Sequence, residues 1–361
     1  MTTRESPFGS DRLPVAVLGA TGAVGQAFVR LLADHPWFEL VEVAASERSA
    51  GRPYAEAANW IGDAEMPESV AGLTVQPCNP AAIRSPVVFS ALDAVAAGEA
   101  EPAFARSERV VLTNAGNFRM EPDVPLVIAE VNPEHLDVLD AQRKQRGWSG
   151  AIVANGNCAV IVTAMALAPL QQRFGLRRVF AVTMQAVSGA GYPGVASMDI
   201  LGNVIPFIKG EEPKVEAELT KFLGRREGDH IENAPIVVSA HTNRVPVQHG
   251  HTVCLSVELT RKGDAAEVEA HLANWRGAPE AFGLPSAPER PLVLFKEPDR
   301  PQPRRDVDLG RGMTVSVGRV RRDPILDIRL VALGHNIIRG AAGASILNAE
   351  LMASTGRIAK L

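Results

Sequence analysis

The stretch Leu13-Pro-Val-Ala-Val-Leu-Gly-Ala-Thr-Gly-Ala-Val-Gly25 decides the first half of the fold. It begins as an apolar run of strand length, turns through glycines at positions 19, 22 and 25, and continues with helical spacing over residues 26–33. Glycines in this setting let the backbone approach a pyrophosphate, and the helix that follows offers free N–H groups. We therefore predict a dinucleotide-binding loop; the alternative that these residues leave open is a glycine turn without a ligand. The predicted contacts are Gly19, Thr21, Gly22, Ala23 and Val24.

The end of the second predicted strand, over residues 38–45, indicates which dinucleotide is bound. A site that prefers NAD usually has an acidic residue there, which holds the ribose hydroxyls. Here Ser46, Arg48 and Ser49 supply two hydroxyls and a planar guanidinium, which suit a 2′-phosphate. Glu47 is discordant, because its carboxylate would suit NAD. The residues favour NADP.

The N-terminal half alternates strands with helices, which predicts a parallel sheet with right-handed crossovers. Apolar segments at 87–91, 109–113 and 126–128 are expected to extend this sheet. We interpret residues 13–155 as a Rossmann-type NADP-binding domain, to which an apolar C-terminal helix at 337–357 returns.

A second domain is expected because a chain of 361 residues exceeds the length at which a single core stops growing. Beyond residue 150 the pattern changes to longer alternating strands, as at 251–258, 313–319 and 325–332. Such alternation predicts a mixed sheet with one buried face. The predicted fold class is α/β, with an α+β second domain at 156–336.

Composition and charge exclude several classes of function. The net charge of −4 gives no general attraction to nucleic acid or to an anionic membrane. The longest apolar run, residues 158–170, is too short to span a bilayer, and the charged N-terminus does not resemble a signal peptide. Three cysteines without a CxxC spacing predict neither a disulfide framework nor a metal site. We expect a cytoplasmic protein that acts on a small molecule.

Cys158 is the candidate nucleophile. It follows the strand-like run Ala-Ile-Val-Ala-Asn-Gly-Asn and stands at the start of a helical pattern. The partial positive charge and free N–H groups of a helix N-terminus are expected to lower the pKa of this thiol and to stabilise an oxyanion on an attacked carbonyl. The alternative is a buried and inert cysteine.

His251 is the candidate proton shuttle for an intermediate on Cys158. It begins an alternating strand, so Cys254 lies on the opposite face and is not its partner. His249 and His241 compete for the role.

Glu211 and Lys214 stand near the start of a predicted helix whose apolar positions Val215, Leu219 and Phe222 face inward. The two charged residues are three positions apart and can share one helix face. On these residues alone, a solvated ion pair is the preferred interpretation.

The order of these motifs along the chain resembles that of a known family. The chain is similar to the aspartate-semialdehyde dehydrogenases, in particular their archaeal and fungal branch, over nearly all of residues 14–350. The segments that carry the resemblance are Gly-Ala-Thr-Gly-Ala-Val-Gly-Gln26, Ala-Ser-Glu-Arg-Ser-Ala-Gly51, Thr113-Asn-Ala with Arg119, Asn157-Cys158, Gln185-Ala-Val-Ser-Gly-Ala-Gly191, Glu211-Glu-Pro-Lys214, Arg244 with His251, and Asn336 with Arg339-Gly-Ala-Ala-Gly343.

The resemblance implies a role for each matching residue. Cys158 would form a thioester with the acyl group, and His251 would act as acid and base. The substrate contacts that it implies are Arg244 for the α-carboxylate, Glu211 near the amino group, Arg119 and Lys214 for the phosphate, and Gln185 and Asn157 for orientation. The residues that it places near the nicotinamide of NADP are Ser188, Gly189 and Asn336.

The implied reaction is the NADPH-dependent reductive dephosphorylation of 4-phospho-L-aspartate to L-aspartate 4-semialdehyde, a step in lysine, threonine and methionine biosynthesis. The second domain would be both catalytic and dimerising, in a homodimer or homotetramer. Two positions depart from the family: Gly156 replaces a usual proline, and Ala159 replaces a usual hydroxyl residue after the cysteine. The alternatives are a malonyl-CoA or acetylglutamyl-phosphate reductase, and a non-catalytic NADP-binding paralogue.

Overall fold

The computed structural model describes residues 3–62 and 64–358 of the chain. Its first sheet has six strands, all parallel. These strands are β1 (Leu13–Leu18), β2 (Phe38–Ala45), β3 (Gln76–Pro77), β4 (Val87–Ser90), β5 (Val110–Thr113) and β6 (Ala151–Ala154). Their order is β3-β2-β1-β4-β5-β6, so the connections change direction between β1 and β4. Ligands bind at such a switch point, beyond the carboxyl ends of the strands.

The central strands are apolar on both faces because helices cover both sides of the sheet. Every residue of β4, β5 and β6 is buried. The helices of the molecule are α1 (Ala23–Leu32), α2 (Tyr54–Ala57), α3 (Glu68–Ala71), α4 (Ala94–Arg106), α5 (Leu139–Arg146), α6 (Cys158–Phe174), α7 (Ser197–Ile200), α8 (Glu211–Phe222), α9 (Ala265–Asn274), α10 (Pro303–Asp306) and α11 (Gly343–Ser354). Short 3-10 segments cover Pro133–Val138, Val187–Ala190 and Pro279–Ala281.

The expected strand at 126–128 is wrong. Only an isolated bridge joins Leu126 to Ala154 at the end of β6. The carbonyl of Ile128 instead accepts the N–H groups of Val131 and Asn132, which turns the chain away from the sheet edge.

The second sheet is mixed, as expected. Its strands are β7 (Leu176–Gln185), β10 (Val237–Arg244), β11 (His251–Leu259), β12 (Leu292–Leu294), β13 (Val315–Arg322) and β14 (Ile328–Gly334). Their order is β10-β7-β11-β14-β13-β12, with parallel pairs at the two ends and antiparallel pairs between. A separate ribbon pairs β8 (Arg225–Glu227) with β9 (His230–Glu232). The predicted fold class is confirmed, whereas the domain boundaries at 155/156 and 336/337 stay predictions.

Helix α6 is apolar on all sides because it is enclosed by its neighbours. Residues 159–170 are all buried, and the helix contacts α8, α9, β11 and β14. Its first residue, Cys158, is therefore held by a helix that is packed on all sides.

The segment expected as one helix at 337–357 is divided in two. Ile338–Ala342 is a π-helical turn, and α11 follows it, ending at Ser354. α11 contacts α1 and β5, so this helix packs against the first sheet. Across the described ranges, none of the helices has the length and apolar character needed to cross a membrane.

Candidate active site

A cleft of about 510 Å³ opens where the carboxyl ends of the first sheet meet the second sheet. The predicted site residues that line it are Ala23, Val24, Arg119, Asn157, Cys158, Ser188, Gly189, Glu211, Lys214, Arg244 and Asn336. A cavity of about 690 Å³ adjoins it and shares Ala23, Ser188, Gly191 and Ile337. Of the other predicted residues, Gln185 and His251 are buried next to the cleft, and Gly19, Thr21, Gly22, Ser46, Arg48 and Ser49 lie in the loops after β1 and β2.

Cys158 and His251 are in contact. The Sγ atom of Cys158 lies 3.1 Å from Nε2 of His251, although the two residues are 93 positions apart. The competing histidines are elsewhere: Nδ1 of His249 lies 3.0 Å from Oγ of Ser188, and exposed His241 packs against Phe180. Of the three candidate histidines, His251 is therefore the one that lies within hydrogen-bonding distance of Cys158.

The hydrogen bonding of His251 determines where its proton lies. The backbone N–H of Ala186 donates to Nδ1 at 3.1 Å, so the neutral ring has its proton on Nε2, facing the sulfur. Burial, together with the nearby Arg244 and His335, lowers the pKa of His251 to about 3. His251 therefore faces Cys158 with a protonated nitrogen that donates a hydrogen bond, and not with an unprotonated nitrogen that could accept the thiol proton.

The expectation of a lowered pKa for the Cys158 thiol is wrong. Burial, with a smaller contribution from Glu211, raises the pKa of Cys158 to about 12. Arg119, the Ala159 N–H and Arg244 act in the opposite direction without overcoming burial.

The helix N-terminus is also less available to an oxyanion than expected. The side chain of Asn157 caps α6 by accepting the N–H groups of Ala159 and Val160, at 2.9 and 3.2 Å. These two donors are therefore occupied within the protein.

Glu211 is part of the cleft and not of a solvated ion pair. It is 6% exposed, and its Oε1 accepts hydrogen bonds from Nδ2 of Asn157 and Nε2 of Gln185, at 2.8 and 3.0 Å. Nζ of Lys214 lies 3.8 Å from its other oxygen and reaches the open side. The prediction of a solvated ion pair was wrong because the spacing of residues along α8 does not show which face of this helix meets the second sheet.

The two arginines of the cleft are both buried, at 7% and 6% exposure for Arg119 and Arg244. Nη1 of Arg244 donates to the carbonyl of Ala186 at 2.7 Å. Arg119 bonds to the Asn114 carbonyl and to Glu218, and its Nε has no hydrogen-bond partner among the described residues. Both guanidiniums keep donor capacity for an anion.

Two charged residues of α8 that were not predicted from the sequence, Glu218 and Lys221, contact the Arg119 segment. Their spacing from Glu211 and Lys214 was an available signal, because residues three and four positions apart share a helix face.

The glycine loop fits a dinucleotide pyrophosphate. Gly19 has φ +71°, and a Cβ there would lie 2.7 Å from the Ala91 carbonyl oxygen. A Cβ at Gly25 would overlap the Gly19 carbonyl, so α1 packs closely on β1. At Gly22 a Cβ would meet only the Gly19 oxygen, at 3.5 Å, which leaves space above the loop. Within the described ranges no side chain caps α1, as suits phosphate binding at a helix N-terminus.

The predicted nicotinamide end is built around Ser188 and Gly189. Nδ2 of Asn336 donates to Oγ of Ser188 at 2.9 Å. A Cβ at Gly189 would lie 2.9 Å from Nη1 of Arg244 and 3.0 Å from the His251 ring. A side chain at position 189 would therefore crowd Arg244 and His251.

Gly156 has a packing role that its sequence context did not reveal. A Cβ at this position would overlap the ring of Phe222, the last residue of α8. Glycine lets α8 approach the turn before Cys158 closely.

In the described part of the chain there is no cluster of three His, Cys, Asp or Glu side chains that would hold a metal ion.

The sequence of this chain is similar to those of known proteins. The NAD-binding domain of semialdehyde dehydrogenases matches residues 14–139, and their dimerisation domain matches residues 167–339. The chain is 51% identical to the aspartate-semialdehyde dehydrogenase of Archaeoglobus fulgidus, over 94% of this chain and 98% of that protein. It is 46% identical to the enzyme of Schizosaccharomyces pombe, over 95% and 98% of the two chains.

Solved structures are also similar. The crystal structure of aspartate-semialdehyde dehydrogenase with NADP from Candida albicans has a TM-score of 0.89 and 42% identity, covering 96% of this chain and 100% of that one. Aspartate-semialdehyde dehydrogenase II complexed with ASA from Vibrio cholerae has a TM-score of 0.73 and 30% identity, covering 95% and 98%.

Proposed function

This chain belongs to the aspartate-semialdehyde dehydrogenase family, and on that premise we propose that it reduces 4-phospho-L-aspartate with NADPH to L-aspartate 4-semialdehyde and phosphate. The observation that carries the proposal is the 3.1 Å contact between Cys158 Sγ and His251 Nε2 beside a cleft with two arginines, a carboxylate and a lysine. A zwitterionic, phosphorylated substrate needs this combination of charges. The reaction is a step of amino-acid biosynthesis.

The substrate is oriented by charge. Arg244 binds the α-carboxylate, and Glu211 pairs with the ammonium group. Arg119 and Lys214 bind the phosphate. Asn157 and Gln185 act by holding Glu211 Oε1 in place, since both donate to that atom.

Acyl transfer forms the thioester. The sulfur of Cys158 attacks the acyl carbon, the bond from that carbon to the phosphate oxygen breaks, and phosphate leaves. Since Nε2 of His251 is already protonated, the thiol proton leaves with the phosphate. The Nε2–H then stabilises negative charge on sulfur or on the acyl oxygen.

NADPH, when bound, supplies the hydride for the second step. The glycine loop and the Ser46–Ser49 turn would hold its phosphates, with the Ser188 segment and Asn336 at the nicotinamide end. The alkoxide form of the thiohemiacetal on Cys158 then collapses to the aldehyde as its C–S bond breaks. The departing thiolate takes the Nε2 proton of His251, and solvent reprotonates that nitrogen.

The test is an assay in the oxidative direction with aspartate semialdehyde. We expect NADP reduction that depends on inorganic phosphate. Turnover with CoA but not with phosphate would contradict the substrate assignment and favour an acyl-CoA reductase. Detection of the acyl group on the Cys158 peptide by mass spectrometry would support the thioester directly.

Arg48 is proposed to select NADP over NAD. It is exposed after β2, beside the Ser46–Ser49 turn. We expect Arg48→Leu to raise the KM for NADPH about 10- to 100-fold, because one charge-assisted contact is worth ~1.5–3 kcal/mol. The KM for NADH should change little. The matched control is Arg52→Leu, an exposed arginine in the same loop; an unaltered NADPH-to-NADH preference in Arg48→Leu would contradict the assignment.

We also propose a cytoplasmic homodimer. The match to a dimerisation domain supports self-association. Phe180 on β7 and Val237 on β10 are 39% and 65% exposed, which leaves apolar surface on the second sheet for a partner copy.

A further inference from the structure

Helix α8 has four charged side chains on one face, at positions 211, 214, 218 and 221. Glu211 and Lys214 line the cleft, as described above. Glu218 and Lys221 lie deeper, at 2% and 1% exposure, and take no part in the steps above. Charged side chains are almost never this buried unless they are paired, so their partners indicate their purpose.

Glu218 has two hydrogen-bond partners, one at the predicted phosphate site and one next to the predicted nucleophile. Its Oε1 lies 2.9 Å from Nη1 of Arg119, and its Oε2 accepts the backbone N–H of Asn157 at 2.7 Å. Asn157 is the capping residue immediately before Cys158. One carboxylate thus joins the predicted phosphate-binding arginine to the start of the nucleophile's helix.

Lys221 holds the backbone of the same arginine segment. Its Nζ donates to the carbonyls of Arg119, Glu121 and Val124, at 2.7, 2.6 and 2.8 Å. The guanidinium of Arg119 is held in addition by the Asn114 carbonyl, at 2.7 Å. Arg119 is therefore fixed at both its backbone and its side chain, and α8 contributes to both.

We propose that Glu218 is a positioning residue, which sets the placement of the phosphate-binding guanidinium of Arg119 relative to Cys158. The proposal rests on the function proposed above for Arg119. Phosphate departs from the carbon that sulfur attacks, so the two sites must keep a constant separation. A displacement of about 1 Å at such a site can cost about 100-fold in rate.

A carboxylate is required because both partners are donors. An amide in the same place has one acceptor oxygen, and its NH₂ group would face either Arg119 Nη1 or the Asn157 N–H. Glu218→Gln therefore preserves the size of the side chain and breaks one of the two links. Glu216→Gln is the matched control: it is the same change on the same helix, at a half-buried glutamate that accepts the Ala240 N–H instead.

The experiment measures the affinity of the enzyme for phosphate in two ways. One is the KM for phosphate in the oxidative assay; the other is the phosphate concentration that half-protects Cys158 from iodoacetamide. We expect Glu218→Gln to raise both about tenfold or more, the effect of losing about 1.4 kcal/mol of binding. The KM for NADP should stay within about twofold, and Glu216→Gln should leave all three values unchanged. A merely structural role would reduce the active fraction and not the affinity for phosphate.

A double-mutant cycle shows whether Glu218 acts through Arg119. In an Arg119→Gln background, adding Glu218→Gln should change the phosphate KM by less than about twofold. If Glu218→Gln does not fold, Glu218→Asp keeps the charge on a shorter side chain and should also raise the phosphate KM. Folded variants with wild-type phosphate KM and protection, or fully additive effects, would overturn the positioning role. Wild-type enzyme without phosphate protection would instead overturn the proposed phosphate site itself.

Discussion

Replacing Cys158 by alanine is expected to lower kcat by about 10⁴-fold or more, because the acyl group then has no sulfur to bind. Alanine is smaller than cysteine and keeps its Cβ atom, which packs so closely on Gly340 that a Cβ at position 340 would lie 2.6 Å from it. The change therefore removes chemistry and leaves packing in place. Steady-state assays and mass spectrometry of the acylated peptide measure the result.

Cys254→Ala is the matched control. Cys254 lies on β11, three positions after His251, and points to the opposite face of the second sheet. It should keep wild-type turnover. If Cys158→Ala kept more than about a tenth of wild-type kcat, the thioester mechanism would be untenable.

The same thiol should show a distinctive pH dependence in the free enzyme. Burial raises the pKa of Cys158 to about 12, and thiolate is the species that reacts with iodoacetamide. Alkylation of this residue should therefore be slow at neutral pH and should continue to rise above pH 9.

Replacing Arg339 by methionine is expected to have the largest effect on stability. Its guanidinium is fully buried and binds both oxygens of Glu130, at 3.0 and 2.6 Å. Its Nε also donates to the Met313 carbonyl at 2.6 Å. Loss of the arginine leaves Glu130 as an uncompensated buried charge, which costs about 3–5 kcal/mol.

Urea denaturation of the variant measures this loss. Adding Glu130→Gln should restore part of it, because the second change removes the unpaired charge. Arg143→Met is the control: its partner Asp140 is 94% exposed, and such surface pairs contribute at most about 1 kcal/mol. A cost below about 1 kcal/mol for Arg339→Met would show that Glu130 finds another partner or becomes protonated.

Local patterns predicted the parts of the fold that depend on neighbouring residues. The glycines at 19, 22 and 25 indicated the turn and helix after β1, and the structure shows why larger residues would not fit at the first and third. The alternation from His251 onward correctly put Cys254 on the other face. Periodicity alone did not place the segment at 126–128, because the carbonyl of Ile128 is used by a turn.

The chemistry of the site was harder to predict. The helix start at Cys158 suggested a low thiol pKa, but α6 lies in a buried setting, and desolvation outweighs the helix N-terminus. The surface interpretation of Glu211 failed for a related reason, since burial depends on what packs against α8. Glu218 was missed because its partners are 99 and 61 positions away.

The sequence by itself determined the nucleotide-binding loop, the helix that begins at Cys158 and, through family resemblance, the chemistry to expect there. Those features depend on residues that are close in the chain, where backbone geometry and periodicity act directly. Only the tertiary structure decided that His251 donates from Nε2, that Glu211 is buried, and that Glu218 joins Arg119 to Asn157. These depend on contacts between distant segments and on the exclusion of water, neither of which is encoded in local spacing.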